Sequence, residues 1–519
     1  MGKWADRLDR AIGFFSPKRE YSRRLYRAAN KFSRYRGAEK NRLRTDWNPL
    51  GGSADADILS DLPTLRDRSR DLNRNDGTAA GITATMTNND VGTGIRPQSR
   101  INYEILGISE EKAELVKRQA EYSFSKWVPY SDAGCRMSFY QQQALIDRQI
   151  LENGEAIVLP MRLADSWRPY SLAVEIIEAD RLDTPRDKFA EKDIRSGVRI
   201  GKHGEPVSYF IRKTHPGDST LSTNRSNASS NYLEIQARNE FGAPNVIHLY
   251  LAQRPGQTRG VPFFAPVLTL FKDMADYLEA EVVTARICAC YSLFVKKMDP
   301  YSAATNAAAS TNASSQRVNE LEPGMIEYLN PGEEIQSFSP EHPGGSFEPF
   351  VERMLRMIGA SLGLPYELVS KDFSKTNYSS ARAALLEARR YFRIRQKWLA
   401  DSLCQPIWDL VLEEAYLKNE LSVSNFYSRK FDWTRAHWIT PGWEWVDPLK
   451  EAKAAETALK INMTSLADEQ AAQGRDWEET MEQRSREEKK RDALELPDNL
   501  SPKQTAAFNE KRENVNAIP

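Results

Sequence analysis

Residues 261–297 read VPFFAPVLTLFKDMADYLEAEVVTARICACYSLFVKK. Pro262 and Pro266 stand at the front, where a helix start tolerates proline, and no proline follows. The stretch predicts one long helix reaching Lys297; thirty residues of straight helix would measure roughly 45 Å. Leu270, Met274, Tyr277, Leu278 and Glu281 mark one face. That pattern is long for a helix inside a globular core.

Downstream, residues 299–317 (DPYSAATNAAASTNASSQR) are low in complexity and predict a flexible loop. Short strands and turns are expected over 324–340. A second helix follows in FEPFVERMLRMIGASLGLP (347–365), stopped by Gly363 and Pro365. SKDFSKTNYSS (370–380) reads as a polar loop, and residues 381–421 as a long helix kinked at Pro406. Two helices flanking a compact insertion make a protruding hairpin. Its apolar residues, Leu268, Leu270, Phe271, Met274, Leu278 and Val282 on one helix and Phe350, Met354, Leu355 and Ile358 on the other, are expected to stay wet in a monomer. A head-to-tail circle of copies would bury them, and an ordinary helical bundle would too.

Upstream, residues 46–262 predict one α+β domain. Residues 61–76 read as a charged helix, and 78–97 as a turn entering a strand because of their glycines. Ser109 with Glu110 and Glu111 opens a helix, and residues 138–154 form another, ended by Gly154. EAIVLPMRL (155–163), YSLAVEIIEADRL (170–182) and NVIHLYLA (245–252) carry strand-type runs. Residues 197–213 predict a hairpin turning at His203-Gly204. Residues 217–231 are a polar loop.

The 519 residues hold 72 Lys+Arg and 72 Asp+Glu. Such a balance excludes a protein that grips DNA over its whole surface. The charge is unevenly spread: residues 1–49 hold 14 basic against 5 acidic groups, and residues 444–519 hold 12 against 17. Four cysteines exclude a disulfide scaffold. The start lacks a long apolar signal core, and the longest nearly apolar stretch, Val282 to Val295, contains Arg286 and is shorter than the roughly 20 residues of a membrane span. A soluble protein without a membrane is expected.

Signatures of chemistry are sparse. Gly197 to His203 falls one residue short of a phosphate loop, ends in His, and sits in the hairpin. Cys288 and Cys290 are two apart on a helix and point to different sides, so they read as buried small residues. The five histidines, His203, His215, His248, His342 and His437, have no zinc-ligand spacing. No catalytic residue, metal or cofactor is expected.

Several blocks together resemble the lambda family of tailed-phage portal proteins. They are WNPLGGSADADILSDLPTLRDRSRDLNRND (47–76), NNDVGTGIRPQ (88–98) and RIGKHGEPVSYFIRK (199–213). QRPGQTRGVPFFAPVLTLFKDMADYLEAE (253–281), GLPYELVSKDFSKTNYSSARAALLEARR (363–390) and GWEWVDPLKEAKA (442–454) continue the series in the expected order. The resemblance covers about residues 46–485. It implies an α+β ring subunit with a wing, a helical stem, a small β-containing clip and a helical crown or C-terminal region. Mapped here, residues 1–45 are a basic arm, 46–262 the wing, 263–297 and 346–364 the stem helices, and 298–345 the clip. Residues 365–380 become a tunnel loop, 381–443 a kinked helix returning to wing and crown, and 444–519 a charged C-terminal region. The resemblance further implies a non-enzymatic dodecameric ring at one capsid vertex of the virion, assembled in the host cytoplasm. Its partners would be other copies, double-stranded DNA in the channel, the terminase large subunit, the major capsid protein and head–tail connector proteins.

Within that frame, Lys371, Lys375, Asn377 and Tyr378 are candidate DNA-channel residues: a conduit for sliding DNA needs few phosphate contacts per subunit, since a ring multiplies each one. Glu320, Glu322, Glu327, Glu333 and Glu334 make the clip acidic and are candidates for docking the terminase through a basic patch. Arg389, Arg390, Arg393 and Arg395 either face DNA or form ion pairs between subunits, the second being favoured. Competing readings are a ring or adaptor that never carries DNA, and a DNA-processing enzyme with a carboxylate metal site assembled in three dimensions.

Overall fold

The computed structural model describes residues 51–220, 231–290, 294–297, 333–336, 347–443 and 447–494, with a few isolated positions besides. The chain divides into a unit Met1–Asp57 and a unit Ile58–Pro519. The second opens with helices α1 (Leu62–Asn75) and α2 (Gly77–Asp90). Asp76 lies between them, and its carboxylate accepts from the Ala79 amide to cap α2. The glycines of residues 78–97 predict a turn, yet α2 runs straight through Gly81. Burial of Ala79, Ile82 and Met86 outweighs the roughly 1 kcal/mol that a helical glycine costs. The turn comes later, at Gly92 and Gly94, before strand β1 (Arg96–Ser99).

Capping fixes the next two helices. The Ser109 hydroxyl accepts from the Lys112 amide at the head of α3 (Glu110–Trp127). Ser138 and Gln141 form a reciprocal capping box at the head of α4 (Phe139–Asn153). Gly154 ends α4 at φ +87°, and a Cβ there would lie 2.4 Å from the Val261 backbone. Only glycine allows that crossing.

Beyond it stand two antiparallel sheets. Strands β2 (Glu155–Arg162), β3 (Leu172–Ile177) and β8 (Ile247–Tyr250) pair in the order β3-β2-β8. Strands β4 (Ile194–Arg195), β5 (Val198–Ile200), β6 (Pro206–Arg212) and β7 (Tyr232–Gln236) follow in sequence order. The expected hairpin is β5–β6, with Val198 opposite Tyr209. Alternation along β2 serves two cores. Ile157 and Leu159 meet Val198, Tyr209 and Ile211 of the second sheet. Ala156 and Val158 share a cluster with Phe124, Trp127, Phe139 and Trp408 on the helices behind.

The long stretch at 261–297 folds differently from its prediction. Helix α5 is Leu268–Cys290, and residues 294–297 form strand β9 (Phe294–Lys297), antiparallel to β10 (Glu333–Gln336). Val295 lies opposite Ile335 in this ladder, which satisfies backbone groups that a helix end would leave open. Helix α6 (Phe347–Leu362) returns, followed by α7 (Tyr366–Ser370) and α8 (Tyr378–Leu399). The kink expected at Pro406 takes the form of a π-helical turn, Ala400–Cys404, before α9 (Gln405–Leu417). Strand β11 (Ala436–Ile439) pairs with β1. Helices α10 (Pro448–Lys460), α11 (Leu466–Ala472) and α12 (Trp477–Ala493) end the described chain.

The apolar hairpin face is mostly covered within one subunit, against the expectation that it stays wet. Leu268, Phe271, Met274 and Ile358 are buried among Ile82, Met86, Ala388 and Phe392, with Leu270, Leu278, Met354 and Leu355 partly buried beside them. Of the ten residues singled out, Val282 at 49% and Phe350 at 43% stay exposed, as do Val283 and Met357 nearby. The reason is packing that spacing alone does not reveal: α2 and α8 cover the base of the hairpin.

Two buried charge clusters lock these layers. The Glu155 carboxylate accepts from the Nε–Nη2 edge of Arg259 and from the Gly260 amide at 2.8 Å, pairs with Arg66 Nη2 at 2.8 Å, and meets His248 Nε2 at 3.1 Å. Burial would raise its pKa, but Arg259, Arg66 and His248 outweigh burial and hold it well below the usual carboxylate range. In the second cluster Arg395 of α8 reaches Asp90 of α2 at 2.5 Å and Asp147 of α4 at 2.7 Å. Arg395 thus makes its ion pairs inside the subunit and not with DNA or a neighbour; all three side chains are at most 2% exposed. Arg389 and Arg393 lie over the Trp443 ring, and the exposed Arg390 sits 3.3 Å from Glu387 on the same helix.

Burial, with Asp147 adding and Arg395 opposing, pushes the Asp90 carboxyl up to about 7. Its folded value therefore lies above the unfolded one of 3.8, so its contribution is full below that value and is lost as pH rises through about 7. Asp90 should contribute a fall in stability on the order of 2 kcal/mol from pH 5 to pH 8 by chemical denaturation, and Asp90→Asn should flatten the slope by that share, the raised Glu121 and Asp147 keeping theirs; an unchanged slope refutes the assignment. Arg395→Met, which strands two buried carboxylates, should cost about 3–5 kcal/mol at pH 8 in the same assay.

Candidate nucleic-acid and partner-binding segments

The segment 365–380 begins where α6 ends. Gly363 takes φ +72°, and the Leu364 amide donates back to the Gly359 carbonyl at 2.8 Å. A Cβ on Gly359 would sit 2.7 Å from the Leu364 carbonyl oxygen, so glycine lets the turn fold tightly onto α6. The segment expected to be loop thus starts with the helical turn α7, which buries Val369. Lys371 ends α7 in the left-handed region at φ +57°. The Asp372 carboxylate then accepts from the Ser374 hydroxyl and, at 2.9 Å, from the Ser374 amide, and both lower its pKa, the hydroxyl first.

The four candidate channel residues fall into different roles. Lys371 is exposed and has no ion pair among the described residues; its Nζ lies 3.9 Å from where a Cβ of Gly81 would be. Lys375 is occupied: its Nζ stands 2.6 Å from Glu348 Oε1 and 3.4 Å from Glu352 Oε2, both on α6. Those contacts, Glu348 first, raise its pKa. The Asn377 side-chain oxygen caps α8 by accepting from the Ser380 amide at 2.8 Å. Tyr378 is the first residue of α8, so it belongs to a helix and not to the loop; its side chain lies outside the described residues. The sequence reading missed Glu348 and Glu352, although their four-residue spacing on a helix puts both on one face.

Of the five glutamates expected to make an acidic docking surface, Glu320, Glu322 and Glu327 lie outside the described residues. Glu333 and Glu334 begin β10, and the ladder sets Glu333 opposite Lys297 and Glu334 opposite Lys296. In the backbone register, the two described members therefore stand at positions opposite lysines.

Among the described residues no cluster of three or more His, Cys, Asp or Glu is placed to hold a metal, and no helix is long and apolar enough to cross a membrane. Cys404 is buried beside Gln143, and burial pushes its thiol up. Cys288 and Cys290 fall in the last turn of α5, with side chains outside the described residues.

Comparison with known proteins places the chain in a family. Residues 40–396 match the model of the phage portal protein, lambda family. The portal protein of Escherichia phage N15 is 25% identical over 477 residues, covering 87% of this chain and 88% of that protein. Portal protein B of Escherichia phage lambda is 24% identical, with 87% and 88% covered. A probable portal protein of Halomonas phage phiHAP-1 is 26% identical, with 89% and 88% covered. Among solved structures, a chain from the neck of a native GTA particle computed with C12 symmetry superposes with a TM-score of 0.41 at 12% identity, covering 80% of this chain and 93% of that one. The family match alone spans more than half of the sequence, and the chain belongs to the lambda family of phage portal proteins.

Proposed function

We propose that copies of this chain close into a dodecameric ring at one vertex of the capsid, through which double-stranded DNA enters during packaging and leaves during ejection. The observation that carries this reading is the match to the portal family over residues 40–396, with two phage portal proteins and one probable portal protein aligning along 87–89% of the chain. The ring docks the terminase large subunit, which supplies the work, and later the head–tail connector proteins, while the major capsid protein surrounds it. The subunit itself performs no chemistry.

Several features support the reading in physical terms. Val282, Val283, Phe350 and Met357 leave an apolar edge on α5 and α6 that a neighbouring copy would cover. That edge is smaller than the sequence suggested, so closure of the ring draws on more than the hairpin. The exposed Lys371 supplies a cation at the head of the 365–380 loop. One such charge per subunit is enough to guide a duplex without gripping it.

Negative-stain microscopy of the purified full chain should show annular particles with a central hole; a protein that stays monomeric under every assembly condition overturns the proposal. Lys371→Ala should lower the DNA packaged and retained per particle by about twofold or more, since each subunit of the ring loses a phosphate contact; unchanged packaging removes Lys371 from the channel. Docking of the terminase through residues 298–345 should weaken with rising salt. Salt-independent docking counts against an acidic surface there, in keeping with the lysines opposite Glu333 and Glu334.

A further inference from the structure

The sequence reading gives Lys375 to DNA; the structure gives it to two carboxylates of its own subunit. Glu348, Glu352 and Arg356 stand at four-residue intervals along α6, on one face. Lys375 meets Glu348 at 2.6 Å and Glu352 at 3.4 Å. Glu352 is also held by Arg356 at 2.6 Å, and the Arg356 guanidinium lies 5.0 Å over the ring of Tyr366 in α7. The short helix and the loop after it are thereby strapped along α6 by a row of charges.

Two properties of this row matter. Its outer pair is exposed: the Lys375 and Glu348 side chains are 54% and 75% accessible, so water and mobile ions reach it, while Glu352 behind them is 20% accessible. Exposed ion pairs are weak and give way to a competing anion. Its acceptors are also carboxylate oxygens, which present to an ammonium group the same kind of anionic partner as a DNA phosphate. With Lys375 so paired, Lys371 is the loop lysine without an ion pair among the described residues.

We propose that Glu348 and Glu352 act as an internal competitor for the DNA backbone, holding Lys375 in reserve and releasing it only when phosphates displace them. The strap sets how tightly the loop holds DNA: each subunit exchanges one anionic partner for another, so little net affinity accumulates around the ring. This rests on the reading of 365–380 as DNA-facing. It deepens that reading by making two carboxylates outside the loop the residues that tune its grip.

The test is binding of a short double-stranded DNA to the purified full-length protein over a range of salt, alongside DNA retained in particles. Glu348→Gln with Glu352→Gln frees Lys375 without changing side-chain size. It should tighten duplex binding by about three- to tenfold at low salt and steepen the salt dependence. Adding Lys375→Ala should abolish the gain. Gln variants that bind like the parent, or a gain that survives Lys375→Ala, overturn the competitor role. Lys371→Ala separates the two ideas. If it weakens binding while the Gln variants change nothing, only the competitor role falls. If all variants bind and package alike, the DNA-facing reading of the loop falls with it.

Discussion

A carboxylate with no access to water governs how this subunit is put together. Glu155 is the first residue of β2, and four groups from other parts of the chain converge on it: Arg66 of α1, His248 of β8, Arg259 and the amide of Gly260. Removing Glu155 would leave the buried Arg66 and Arg259 without their shared counter-charge, so helix, sheet and the approach to α5 hold their places together through this one carboxylate. Arg259 extends the tie to the carbonyls of Ala179, Leu182 and Ser196. The result is a rigid root from which the α5–α6 hairpin leaves.

The Arg395 cluster repeats the device on the helical side, joining α2, α4 and α8. The 365–380 segment is anchored in the core at its front by Val369 of α7, and α8 behind it runs on to Arg395, while the stretch around Lys375 between them is held by charges on α6. Stiffness and compliance thus sit within one turn-and-helix unit. The ring subunit proposed above, with DNA sliding past it, would need both.

Local signals in the sequence carried the local structure. Ser109, Ser138 with Gln141, and Gly154 mark their helix ends because capping is decided within four residues. The β5–β6 hairpin was legible for the same reason. What escaped was set at a distance. Glycines argued for a turn where α2 runs, since the burial that stabilises α2 comes from α5, α6 and α8. The apolar hairpin face looked unpartnered because its partners lie far off in sequence. Arg395 has partners 305 and 248 residues away, which no spacing rule reaches. Lys375 was legible as a cation in a polar loop; that its partners stand 27 and 23 residues upstream was not.

The π-helical turn at Ala400–Cys404 has a geometric meaning beyond its bend. One extra residue in a helical turn advances every later side chain by about 100° around the axis. Ahead of the turn, Ala388 and Phe392 face the α5–α6 cluster; beyond it, Ile407, Trp408 and Val411 face the aromatic cluster behind β2. The wide turn resets the phase of a nearly continuous rod close to the point where it passes from the first core to the second.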